Sequence, residues 1–155
     1  MRSGERTARG FTYVWMLAAL VIFSIGLAVV GPLWADQAKR EREQDLLRVG
    51  QLYAQAIASY YAASPGSLKQ YPPALASLLA DTRFVGTRRH LRTLYPDPLE
   101  PTREWGLVTG PDGSVRGVYS QSADVPLHNA ALDLDVTSLP AAQHYAEWKF
   151  VPKVQ

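Results

Sequence analysis

The feature that most constrains this chain is a run near its N-terminus that carries no charge. Between Gly10 and Ala35 there is no Asp, Glu, Lys or Arg, and the residues from Phe11 to Trp34 are mostly apolar. As a helix at about 1.5 Å per residue the run is roughly 36 Å long, enough for a hydrocarbon core of about 30 Å. The sequence therefore predicts a transmembrane helix over residues 11–35. A cleaved secretory signal ending at Ala35 is the alternative. The run is long for such a signal, and Leu33 is large where a small residue is preferred. Arg2, Arg6 and Arg9 lie before the run and Lys39, Arg40, Arg42 and Arg48 after it, so flanking charge does not orient it. The larger C-terminal part is read as the exported side.

The rest of the chain sets the scale. A length of 155 residues suits one modest domain plus an appendage. With 47% hydrophobic and 19% charged residues, the chain is neither a disordered nor a polybasic segment. The net charge of +2 resides in residues 1–10, where Arg2, Arg6 and Arg9 outnumber Glu5, and the remainder is neutral. No nucleic-acid partner is expected, because phosphate binding needs a sustained basic patch. Cysteine is absent, which excludes disulfides, thiolate metal sites and a cysteine nucleophile.

After the apolar run, Asp36 to Arg48 alternates in charge and reads as the solvated face of a helix. Leu46, Val49, Tyr53, Ala56 and Tyr60 follow at spacings of three and four, an apolar stripe on one helical face. Ser64-Pro65-Gly66 ends it. One long helix over residues 11–63 is predicted, bent or interrupted near Gly26, Gly31 and Pro32. A short helix is predicted over Ala74 to Ala80, opened by Pro72-Pro73. Tyr95-Pro96-Asp97-Pro98 reads as a turn or extended loop. The clearest signal is a hairpin: Trp105, Leu107 and Thr109 alternate, Gly110-Pro111-Asp112-Gly113 turns, and Val115 to Tyr119 returns. Residues 121–144 read as irregular, and Tyr145 to Val151 as a third strand.

The order of these parts resembles type IV pilins and the pseudopilins of type II secretion. Arg9-Gly10-Phe11-Thr12 places a basic leader and a glycine directly before the charge-free helix, like the leader that a prepilin peptidase cuts after glycine before N-methylating the new first residue. Tyr71-Pro72 with Leu75 and Leu78-Leu79, then Tyr95-Pro96-Asp97-Pro98 and the Trp-containing hairpin, is similar to the head pattern of the major pseudopilin. The resemblance implies processing between Gly10 and Phe11, and a filament helix that includes Trp15 and Pro32. One position departs from it: the fifth residue after the cut, usually glutamate, is Trp15. That glutamate is thought to meet the buried N-terminal amine of a neighbouring subunit, and Trp15 cannot supply a charge. The departure suits a low-copy or end-of-filament subunit. It also suits an aromatic at a lipid interface.

Chemistry is sparsely indicated. His90, His128 and His144 are too widely spaced for a metal pair and read as surface residues, and no HExxH motif occurs. No GxSxG or phosphate-binding glycine loop is present. Asp97, Asp112 and Asp124 sit by Pro or Gly or in polar loops and read as turn formers. Major pseudopilins hold calcium in a loop after the hairpin. The resemblance therefore makes calcium the one cofactor to consider, with Ser120, Ser122 and Asp124 as its oxygen ligands. Calcium takes six to eight oxygens, so Asp133 or Asp135 would have to fold back.

The expectations are these. The fold is α+β, with a long N-terminal transmembrane and stem helix followed by a small antiparallel-sheet, pilin-like head. Residues 1–10 form a leader, 11–35 a transmembrane helix, 36–63 an amphipathic stem and 64–155 the head. The chain is a structural subunit and not an enzyme, held in the inner membrane with its head in the periplasm. Its partners are other pilin-like subunits, a prepilin peptidase, an inner-membrane assembly platform and membrane lipid. The alternative is a single-pass accessory protein of a secretion system that binds a partner without polymerising.

Overall fold

The computed structural model describes residues 8–153, without the side chains of residues 8–10, 27–33 and 35. Residues 1–7 of the expected leader lie outside the described residues. The chain divides into two units, residues 1–40 and 41–155.

Helical residues run from Ala8 to Ala62 (α1) and contribute to both units. The expected transmembrane helix is corrected: among the described residues no helix is long and apolar enough to cross a membrane. The inner-membrane placement and the single-pass anchor lose their support with it. The stem-and-head division is corrected as well. Helical residues 41–62 are not a stem leading to a head; they are the central element of the second unit.

That element forms for the reason its spacing gives. Leu46, Val49, Tyr53, Ala56 and Tyr60 are all buried, and Ala54 and Ile57 widen the stripe. The helix ends at Ala62, and Gly66 takes a positive φ of 79° just beyond it. Gly50 has a specific use. A Cβ there would lie 2.4 Å from ring carbons of the buried Phe150, so the missing side chain makes the notch in which that ring sits.

The predicted hairpin forms as β1 (Gly106–Thr109) and β2 (Val115–Tyr119), antiparallel, with Leu107 opposite Val118 and a register shift after Val108. Gly113, at φ 75°, supplies the left-handed residue of the turn. Elsewhere the head departs from a single antiparallel sheet. Leu132–Asp133 (β3) and Ser138–Leu139 (β4) make a separate two-residue ladder inside the segment read as irregular. The predicted helix after Pro73 is a single 3-10 turn, Leu75–Leu78. The predicted third strand is a 3-10 turn, Tyr145–Glu147, and then one bridge from Phe150 to Val118. Trp148 and Phe150 are fully buried, as their alternation suggests, but Pro152 has no N–H with which to extend the pairing. The core of this unit joins the helical stripe to Leu78, Trp105, Val115, Val118, Leu139, Tyr145, Trp148 and Phe150.

Candidate functional site

Three parts of the molecule bear on function: the apolar run of the first unit, the polar clusters that clamp loops onto α1, and the loop after the hairpin.

In the first unit, the large apolar side chains described between Phe11 and Ile25 are each 47% or more exposed. Tyr13 to Leu17 are five consecutive residues, and at 100° per residue they circle the helix completely. This is not an amphipathic face but a surface apolar on every side, which a helix keeps only where other apolar groups surround it. Gly10 and Phe11, the expected processing pair, lie in the first turns of α1, with Phe11 exposed. Trp15 is 63% exposed. The side chain of Pro32 is outside those described.

In the second unit, Glu43 is the residue the sequence reading missed. It stands in the charged stretch read as solvated, yet it is only 1% exposed. Tyr145 Oη and the Leu127 backbone N–H each donate to its Oε2 at 2.7 Å, and His128 Nδ1 meets Oε1. Burial pushes the Glu43 carboxyl up, but the hydrogen bonds from His128, Tyr145 and Leu127 outweigh it and leave it below its usual range. Burial first, and the adjacent carboxylate second, push the Tyr145 phenol up.

A second cluster surrounds Asp81, which is also fully buried. Arg83 donates to both its oxygens, at 2.9 Å from Nε and 2.7 Å from Nη2. The same guanidinium reaches the Tyr60 carbonyl and Ser64 Oγ at 2.9 Å and stacks on the Tyr60 ring, so it ties this loop to the end of α1. The Arg83 hydrogen bonds hold the Asp81 carboxyl far below the ordinary range, with His90 helping. His90, read as a surface residue, has a buried side chain between Asp81 Oδ2 at 3.3 Å and Ser59 Oγ at 2.8 Å.

Hydroxyl, imidazole and carboxylate in a row resemble a hydrolytic relay in connectivity. Two features work against that chemistry. Asp81 is already neutralised by a bidentate arginine. Ser59 sits inside a helix, where neighbouring N–H groups are committed to carbonyls four residues back and none is left to receive an oxyanion.

The loop after the hairpin does not gather its oxygens. Ser120 and Ser122 are buried, and each hydroxyl accepts from the N–H two residues on, at 3.1 and 3.3 Å. Asp124 is exposed. Among the described residues no group of three or more His, Asp or Glu could hold a metal ion, and Asp133 meets Ser138 Oγ at 2.8 Å and Lys153 Nζ at 2.5 Å. Asp97 is a turn former as read, with Oδ1 accepting from Leu99 N–H at 2.9 Å, but it is fully buried.

No family model, curated protein or solved structure matches this chain.

Proposed function

We propose that the chain is a pilin-like structural subunit, similar in role to the pseudopilins of type II secretion or the subunits of type IV pilus-like filaments. One observation carries the reading: the chain holds an N-terminal helical run apolar on all sides and exposed, and separately a second unit with a core of its own. Burying one large apolar side chain is worth about 1.5–3 kcal/mol. A run of eleven such residues therefore gains most when like helices of neighbouring subunits surround it. The mechanism is packing. The apolar run joins a bundle, and the second unit forms the surface that the assembly presents. The Gly10-Phe11 junction supports peptidase processing, since removing residues 1–10 would bring the run to the new N-terminus.

Trp15 refines the proposal. A subunit with no carboxylate at that position offers no counter-charge to a neighbour's N-terminal amine, so it fits where no such amine approaches. That makes it a low-copy subunit that polymerises poorly alone. Coexpression with a prepilin peptidase should shorten the chain by ten residues in intact-mass analysis, and Gly10→Arg should prevent the cut. Sheared material should contain few homopolymers of the wild-type chain and more of Trp15→Glu. A chain left whole by the peptidase refutes the processing. Abundant wild-type homopolymers refute the end-subunit role.

A further inference from the structure

The outer edge of β1 is unpaired, and it borders an apolar cleft. The direction of its free groups follows from β2. Val118 spends both backbone groups on the far side: its N–H reaches the Phe150 carbonyl at 3.3 Å, and its carbonyl accepts from Phe150 N–H at 2.8 Å. In an antiparallel ladder the residue opposite such a position forms a non-hydrogen-bonded pair. Leu107 is that residue. Its N–H and C=O therefore both point away from β2, and no third strand covers them among the described residues.

Beside this edge lies a cleft of about 400 Å³, lined by Tyr53, Leu75, Leu94, Tyr95, Trp105 and Leu107. Its floor is rigid. Tyr53 Oη accepts from Tyr95 N–H at 2.9 Å, and Trp105 Nε1 donates to the Tyr95 carbonyl at 2.8 Å. Leu94 and Leu107 are more than two-fifths exposed on its walls. At the rim, Arg103 is paired with Glu100 at 3.1 Å. The exposed Glu104 carboxylate has no ion pair among the described residues.

We propose that this edge and cleft bind an extended segment of another polypeptide by strand addition. The Leu107 N–H and C=O bond the incoming backbone, a large apolar side chain enters the cleft, and a neighbouring Lys or Arg meets Glu104. A second copy of this chain fits less well. Paired edge to edge about Leu107, Glu104 of one copy faces Gly110 of the other and gains no counter-charge.

The test uses the full chain in mild detergent and a fluorescent probe peptide of alternating Val and Lys around a central Leu, read by anisotropy. The peptide should bind. The same peptide, N-methylated on the residues that face β1, should bind about tenfold more weakly, since it keeps its side chains and loses backbone donors. Leu107→Pro should weaken binding about tenfold beyond Leu107→Ala, because only proline removes the N–H, and a free edge tolerates it. Glu104→Lys should weaken the Lys peptide and not a Glu-substituted one. Equal binding of the methylated peptide overturns strand addition, and that arm holds even if Leu107→Pro fails to fold. No binding of the unmodified peptide at millimolar concentration also overturns it, as does a chain that instead dimerises through Leu107.

Discussion

Glu43 shows how much one side chain can decide. It is a carboxylate inside a packed unit, acceptable only because donors from residues 127, 128 and 145 converge on it. Glu43→Ala should cost about 1–3 kcal/mol for each donor left buried and unpaired, measured by urea denaturation. Tyr145→Phe should cost less, since the carboxylate keeps its other partners. The same cluster sets an acid response. The folded-state Glu43 carboxyl lies below its ordinary value of 4.5, so its stabilisation is full above that pH and is lost as the pH falls through the lower folded value. Asp81 behaves alike from 3.8 downward. The melting temperature should be level from pH 7 to about 5 and fall below about 4.5. Glu43→Gln should remove the upper part of that fall, and an unchanged profile in Glu43→Gln would show that other carboxylates govern it. None of this was legible in sequence. A glutamate in an alternating charged run looks solvated, and its partners lie 84 to 102 positions away.

At the level of elements, the readable parts were those fixed by neighbours in sequence. The hairpin declared itself through alternation on either side of Gly-Pro-Asp-Gly. The helical stripe declared itself through spacing, and every member of it is buried. The last segment was half-readable: Trp148 and Phe150 do point inward, but a 3-10 turn before them and Pro152 after them reduce the strand to one bridge. The packing role of Gly50 could not be seen without Phe150. Gly50→Ala should therefore destabilise the unit by about 1–3 kcal/mol through overpacking, although alanine is the better helix former by about 1 kcal/mol. A more stable Gly50→Ala protein would mean that the Phe150 ring yields. For the candidate site, the apolar run and Trp15 were visible in sequence. The loop expected to bind calcium places its two serines in local hydrogen bonds.

On the scale of the whole molecule, the two units hold opposite kinds of apolar residue. The buried ones lie between Leu46 and Phe150, and the exposed ones are concentrated between Phe11 and Trp34. A fragment of residues 41–155 should therefore fold alone, with mixed helix and strand by circular dichroism and a cooperative melt, and should not associate at concentrations where the full chain does. A fragment that stays unfolded would mean that the second unit depends on the first.

Phe150 stands far along the chain from Gly50, yet it fills the notch there, bridges Val118 and completes the core. Time of synthesis thereby enters the fold. Helical residues 41–62 leave a ribosome well before Phe150 does and lack the ring that fills their notch until that residue has been added. Closing that loop of about one hundred residues carries an entropic cost that local helix formation does not. Until then the nascent chain presents both its apolar run and an unfilled core, so a stop codon just before Phe150 would leave a second unit that cannot close.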